Sequence, residues 1–326
     1  MPSFNRRAAL CVALLVSAAA VAPAFAQDFP SRPVRIVVPF AAGGGVDILT
    51  RALAQPLGER LGQQVIVDDK PGAGGNLGVD AVAKSPADGY TLVMATTGTH
   101  TINPGLYPKL PFDAERDFKP VTLIASVPNL LVVNPALGVD SAAALVALAK
   151  SKPGALSFAS FGNGASNHLS GEMLKSLTGI DVIHVPYKSA PQAVTDLMAG
   201  QTAFAFVNTP LALPHVRSGK LKALAVTGAR RSAATPEFPT MQEAGVPGFV
   251  VESWYGLMAP AGTPDAVIAR LHKETLAVLA TPEVRDFFAK QGADVVTSSP
   301  AEFAAMVKTE RARWAEVIRT SGAKVD

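Results

Sequence analysis

Two glycine-rich loops, each placed between an apolar strand-like run and a helix-like run, are the segments of this sequence best suited to binding chemistry. Residues 40–47 read FAAGGGVD, and residues 72–76 read GAGGN. Glycine lets the backbone turn sharply and approach a ligand closely. A helix that starts at such a loop adds unpaired N–H groups and a partial positive charge. The pattern indicates a site for a small anion.

A similar pattern recurs later in the chain with different residues. Residues 155–208 contain an apolar run, the loop at 161–166, a helical run, a second apolar run, the loop at 186–191, another helical run and a third apolar run. Strands that alternate with helices predict right-handed βαβ units on a parallel sheet. The repetition therefore predicts two similar α/β lobes, whose loops meet at a shared cleft beyond the carboxyl ends of the strands.

The sequence gives little indication of a nucleotide-binding or metal-binding site. From Gly72 the order of glycines misses the dinucleotide-binding spacing by one position, and no phosphate-loop G-K-[ST] occurs. The five histidines are scattered, with no pair four residues apart that would suggest metal ligands. We predict no metal and no cofactor.

An exported serine hydrolase is the alternative that the residues leave open. Ser166, in the sequence GASNH, lies where a strand should turn into a helix, and His184 near Asp181 could complete a triad. The second glycine of the G-x-S-x-G motif is missing, because His168 occupies that position. Ser166 is explained more simply as a helix N-cap, and His168 as a residue that orders the loop.

The N-terminus predicts export. Arg6 and Arg7 precede an apolar stretch at residues 8–20, and residues 24–26 read AFA, so we expect a signal peptide cleaved after Ala26 and a periplasmic location. Cleavage removes Cys11, the only cysteine, and leaves a nearly balanced charge. Nothing in that charge suggests a nucleic-acid surface.

The order of elements predicts how the lobes connect. Residues 122–133 and 250–257 are expected to cross between lobes as two hinge strands, so that residues 27–127 and 250–326 form the first lobe and residues 128–249 the second. Asn76 is expected to be the N-cap of the short helix that follows the loop at 72–76. The amphipathic helices at 264–279 and 300–320 are expected to pack on the first lobe.

Several long motifs resemble one known family. They include VPFAAGGGVD (38–47), DKPGAGGNLG (69–78), SFGNGASNHL (160–169) and SWYGLMAPAGTP (253–264). They are similar to the Bug family, the extracytoplasmic solute receptors of tripartite tricarboxylate transporters. The resemblance covers the chain from about residue 29 to the C-terminal helix. It implies a two-lobed, Venus-flytrap, type II-like periplasmic binding protein that binds carboxylated metabolites without catalysis. It also implies delivery to membrane transporter subunits or to a sensor kinase, by a protein expected to be a monomer.

The resemblance also implies a set of site residues; in the family, the loops around the GGG and PGAGGN motifs hold a carboxylate partly through ordered water. These predicted site residues are Phe40, Ala41, Gly43, Gly44, Asp47, Gly72, Ala73, Gly74, Gly75, Asn76, Thr96, Thr97, Ser160, Gly162, Gly164, Ser166, Pro186, Tyr187 and Asn208. Many relatives carry an acidic residue where this chain has Val207. If Val207 faces the cleft, recognition of a ligand amino group is disfavoured. Phe40 and Phe161 are equally suited to line the cleft or to fill the core.

Overall fold

The computed structural model of the chain describes residues 29–233, 235–251, 253–321 and 323. The predicted signal peptide at residues 1–26 lies outside this range. The described chain forms two α/β lobes, each built on its own β-sheet, and the predicted fold class is confirmed. In the part of the chain that the structure describes, no helix combines the length and apolar character needed to cross a membrane.

The two lobes contain eleven described strands and ten described α-helices. The strands are β1 (Val34–Val38), β2 (Val65–Asp69), β3 (Thr91–Thr96), β4 (Phe118–Ser126), β5 (Asn129–Val133), β6 (Ser157–Ser160), β7 (Ile183–Pro186), β8 (Phe204–Asn208), β9 (Lys222–Val226), β10 (Trp254–Pro260) and β11 (Asp294–Val295). The helices are α1 (Gly45–Leu61), α2 (Asn76–Ala83), α3 (Asn103–Leu106), α4 (Ala142–Ser151), α5 (Ser166–Thr178), α6 (Ala190–Met198), α7 (Thr209–Arg217), α8 (Asp265–Leu279), α9 (Pro282–Lys290) and α10 (Pro300–Ser321).

Each sheet contains a parallel unit and an antiparallel connection. The first sheet runs β11-β4-β10-β3-β1-β2, and the second runs β7-β6-β8-β5-β9. Strands β1, β2 and β3 are parallel, as are β6, β7 and β8. Strand β10 is antiparallel to β3 and β4, and β5 is antiparallel to β8 and β9. The glycine-rich loops follow the carboxyl ends of the parallel strands, where ligands of open α/β sheets bind.

The core explains why these segments become strands and helices. Ile36, Val37 and Val38 of β1 are fully buried, as expected of a β-branched strand that is covered on both faces. Helix α1 buries Leu49 and Leu53 against the same core, and its C-cap is Gly62, which has a φ of 73°. The apolar periodicity of the sequence thus places the N-terminus of α1 next to the first glycine-rich loop.

The chain passes between the two sheets twice. The first passage is the short link between β4 and β5, and the second is the long connection from β9 to β10. Strands β4 and β10 pair side by side in the first sheet, in agreement with the predicted hinge strands. The lobe boundaries predicted at residues 127/128 and 249/250 fall within these connections and remain predictions.

The expectation that the C-terminal helix packs on the first lobe alone is wrong. Phe303 of α10 contacts Trp254 of β10, with the ring centroids 5.3 Å apart. Farther along the helix, Trp314 is buried in a cluster that includes Leu131 and Phe206 of the second sheet. An amphipathic pattern shows that a helix has an apolar face but not which surface it covers, so the sequence left this bridging role open.

Two predicted helix caps are also wrong. Helix α2 starts at Asn76 itself with Gly75 as its N-cap, and helix α5 starts at Ser166 with Ala165 as its N-cap. Neither N-cap residue makes a side-chain capping bond. The polar side chains that resemble caps in the sequence bind to distant residues instead, as described below.

Candidate functional site

A cavity of about 710 Å³ lies between the two lobes at the loop ends of both sheets. Its volume is in the usual range for small-molecule sites. Most of the predicted site residues line it: Phe40, Ala41, Gly44, Gly72, Ala73, Gly74, Gly75, Thr96, Thr97, Gly162, Ser166, Pro186, Tyr187 and Asn208. The remaining predicted residues, Gly43, Asp47, Asn76, Ser160 and Gly164, are not part of the cavity wall and instead support it.

The first glycine-rich loop is held in place by Asp47. One Asp47 carboxylate oxygen accepts a hydrogen bond from the Gly43 N–H at 2.7 Å, and the other is paired with Arg51 at 2.5 Å. Arg51 also pairs with Asp69 at 2.6 Å. Burial raises the pKa of Asp69, and the nearby Asp47 carboxylate raises it further. These contacts fix the loop so that Gly45, the first residue of α1, lies on the cavity wall.

The second glycine-rich loop turns its backbone through a run of positive φ angles. Gly72, Ala73, Gly74 and Gly75 have φ values of 134°, 49°, 64° and 95°. Such a conformation is strained for a residue with a side chain, which explains the density of glycine here. Asn103 secures the loop, since its Nδ2 donates to the Gly74 carbonyl at 3.0 Å and to Asn76 Oδ1 at 2.7 Å.

Two histidines support the cavity loop of the second lobe from behind. His184 Nε2 lies 2.6 Å from the Ser160 hydroxyl, and the rings of His184 and His168 stack with centroids 4.2 Å apart. His168 Nδ1 accepts a hydrogen bond from the Gly164 N–H at 3.2 Å. Burial lowers the pKa of His168 to about 3, so the ring is neutral and can accept this bond. His168 orders the loop, as predicted.

Asn129 connects two of the predicted site residues across the start of the second lobe. Its Nδ2 donates to the Ser166 hydroxyl at 3.2 Å, and its Oδ1 accepts from Asn208 Nδ2 at 2.8 Å. Thr97 has a similar arrangement, because its hydroxyl oxygen accepts from the Trp254 backbone N–H at 2.9 Å. The hydroxyl hydrogens of Ser166 and Thr97 remain able to donate toward the cavity.

Sequence reasoning missed several residues of the site, because they come from segments without glycine-rich loops. Tyr107 lines the cavity, and its hydroxyl donates to the Asn163 carbonyl of the opposite lobe at 2.8 Å. Ser253, Trp254 and Tyr255, at the start of β10, line the cavity as well. For Ser253, Trp254 and Tyr255 the SWYG motif at residues 253–256 gave a signal, but only through the family resemblance. Tyr107 gave none.

The chemical character of the cavity is aromatic and rich in donors. Among its described lining residues, Lys188 alone carries a charge, and no carboxylate is present. Phe40 and Phe161 line the cavity and also pack against the cores of their lobes, so both roles that the sequence allowed apply. Val207 is buried in the second-lobe core and is not a lining residue, which removes the premise of the amino-group argument.

The contacts of Ser166 do not form a catalytic triad. Its hydroxyl accepts from Asn129, whereas His184 is hydrogen-bonded to Ser160. Within the described residues, no group of three or more histidine, cysteine, aspartate or glutamate side chains lies close enough to hold a metal ion. The geometry is that of a binding cleft between two helix-bearing lobes.

Comparison with known proteins also indicates a binding protein. A family model described as "Tripartite tricarboxylate transporter family receptor" matches residues 49–323. BugT of Bordetella pertussis is 39% identical, over 99% of this chain and 99% of its own.

Two solved structures are also similar. Rpa4515 of R. palustris with adipate has a TM-score of 0.89 and 38% identity, covering 91% of this chain and 100% of the other. MatC of Rhodopseudomonas palustris with bound malate has a TM-score of 0.85 and 33% identity, covering 89% and 100%. These relatives are solute-binding receptors, so the prediction of a receptor is confirmed and the hydrolase alternative is not supported. The chain belongs to the receptors of the tripartite tricarboxylate transporter family, the Bug proteins.

Proposed function

We propose that the chain captures a small carboxylate in the cleft between its lobes and presents it to a membrane transporter. The observation that carries this proposal is the polarity of the cavity wall. Its described polar groups include hydrogen-bond donors at the N-termini of α1 and α5 and the hydroxyls of Thr97 and Ser166, with no acidic side chain among them. One helix N-terminus stabilises an anion by about 0.3–1 kcal/mol when exposed and by up to about 2 kcal/mol when partly buried.

The apolar part of the wall favours a carboxylate attached to an apolar body. Phe40, Phe161 and Tyr187 line the cavity together with several glycine, alanine and proline residues. Such walls stabilise a methylene chain or an aromatic ring by removing apolar surface from water. Rpa4515 was solved with adipate and MatC with malate, which supports the same ligand class.

Receptors of this family are periplasmic binding proteins that work with membrane transporters. For this chain we propose cleavage of the signal peptide after Ala26 and a monomeric receptor. Intact-mass analysis of the exported protein and light scattering after gel filtration test these two points. A mature protein that begins elsewhere, or a stable dimer, would contradict them.

A thermal-shift comparison of acids with their amides tests the carboxylate proposal. The mature protein is heated with adipate, malate or benzoate, and in parallel with adipamide, malamide or benzamide. An acid present at 100 times its Kd stabilises the folded state by about 2.7 kcal/mol, a shift in Tm on the order of 5 °C. We expect a shift from at least one acid and none from its amide. Equal shifts from acid and amide, or no shift from any acid, would refute the proposal.

A further inference from the structure

Two hydroxyl groups at the start of β10, those of Ser253 and Tyr255, are buried. Tyr255 is 3% exposed and Ser253 is 2% exposed, and both line the cavity. Neither hydroxyl has a hydrogen-bond partner among the residues that the structure describes. Buried polar groups are almost always paired, because an unpaired one carries a desolvation penalty. In a binding cleft, the partner expected for such a group is the ligand.

The position of the Tyr255 hydroxyl indicates what it would bind. A Cβ atom added at Gly45 would lie 3.3 Å from this hydroxyl and 3.1 Å from Asn208 Cβ. The hydroxyl therefore lies beside the first residue of α1, where unpaired N–H groups and the positive end of the helix favour negative charge. An anionic acceptor at this point would be stabilised by both the helix and the phenol.

The strand geometry separates these two hydroxyls from the side chain between them. Trp254 packs its ring against Phe303 in the core on the other side of the sheet. Because side chains alternate along an extended strand, Ser253 and Tyr255 share the opposite face. Burial also raises the pKa of Tyr255 well above its usual value, so the phenol stays protonated and acts as a donor.

We propose that the Tyr255 hydroxyl, assisted by that of Ser253, donates a hydrogen bond to a carboxylate oxygen of the bound ligand and helps to select acids for this cleft. The inference rests on the proposed function, and it assigns a ligand contact to the hinge strand rather than to the glycine-rich loops. A hydrogen bond to a charged group is stronger than one between neutral groups. Its loss should weaken binding by about 10- to 100-fold.

The test compares Tyr255→Phe with Tyr90→Phe as a matched control. The Tyr90 hydroxyl lies outside the cleft and accepts a hydrogen bond from the Ser31 backbone N–H at 2.9 Å. Calorimetry measures the Kd of whichever acid among adipate, malate and benzoate binds the wild type most tightly. Thermal unfolding without ligand measures stability. Ser253→Ala serves as a second variant.

A ligand contact and a structural role predict opposite results. If Tyr255 contacts the ligand, Tyr255→Phe raises the Kd about 10- to 100-fold while the unliganded Tm stays equal or rises, because the substitution removes a buried hydroxyl that has no partner among the described residues. Tyr90→Phe should lower the Tm and leave the Kd unchanged. A wild-type Kd in Tyr255→Phe overturns the inference, whatever the result for Ser253→Ala, but leaves the proposed function standing. A wild type that binds none of the acids overturns both.

Discussion

Replacing Gly74 by alanine should weaken ligand binding because it keeps the two lobes from closing against each other. An alanine Cβ at this position would overlap the Asn163 carbonyl oxygen of the second lobe and lie 2.7 Å from the Tyr107 hydroxyl. The overlap involves a backbone atom, so relief requires the loops to separate on the order of 1 Å. Overpacking of this kind costs about 1–3 kcal/mol, which corresponds to roughly 5- to 150-fold in Kd.

The backbone angle of Gly74 adds a second effect that must be separated from the first. Gly74 has φ 64° and ψ 24°, a left-handed conformation that costs alanine about 1–2 kcal/mol. Gly179, the C-cap of α5, has φ 67° and ψ 21°, and an added Cβ there meets no atom within 4 Å. Gly179→Ala therefore carries the same backbone strain without the clash between lobes.

The assay measures three quantities for both variants: Tm without ligand, Kd by calorimetry, and radius of gyration by X-ray scattering with and without an acid ligand. Both variants should lose similar stability. Only Gly74→Ala should lose affinity and remain expanded when ligand is added. A Gly74→Ala protein that binds and contracts as the wild type does would refute the reasoning, as would an equal loss of affinity in Gly179→Ala.

Three further predictions follow from other contacts of the cleft. Tyr107→Phe removes the hydrogen bond to the Asn163 carbonyl across the cleft. Ligand dissociation, measured by stopped flow, should therefore become about 2- to 10-fold faster, and an unchanged rate would contradict this. Ser166→Ala should weaken acid binding by a similar factor in calorimetry, and wild-type protein should not hydrolyse esters; ester turnover lost in the variant would favour the hydrolase instead. Burial lowers the pKa values of His100 and His168 to about 3, so the unfolded chain, with histidine pKa values of about 6.5, binds protons that the folded protein does not. The free energy of unfolding should therefore fall as the pH falls from 7 toward 3, by about 2 kcal/mol per histidine at pH 5. A urea midpoint that stays constant between pH 7 and pH 5 would be inconsistent with neutral buried rings.

Much of the fold was predictable because it depends on local patterns. The β-branched run that became β1 and the leucine spacing of α1 specify strand and helix through burial of one face or both. Glycine-rich loops mark the strand ends in both lobes, so the repetition of βαβ units could be recognised from the sequence. The bridging position of α10 was not, because the partner of an amphipathic face lies far away in the sequence.

The candidate site was predictable as a set of loops but not as a set of contacting residues. Asp47 and Asn76 belong to the predicted motifs, yet they bind the Gly43 N–H and Asn103 behind the cavity wall. Asn129 and Tyr107 have no motif of their own and become important only because folding places them beside Ser166 and Asn163. A loop motif specifies backbone conformation, whereas the direction of each side chain depends on partners supplied by other segments.

The sequence by itself determined the two α/β lobes, the glycine-rich loops at helix N-termini and the membership of the receptor family, because each depends on residue type and short-range spacing. Only the tertiary structure decided how closely the lobes approach at Gly74 and that Tyr255 places beside α1 a donor with no partner in the described part of the chain. These features arise where segments distant in the chain come together, and their energies depend on distances between atoms that no local pattern encodes.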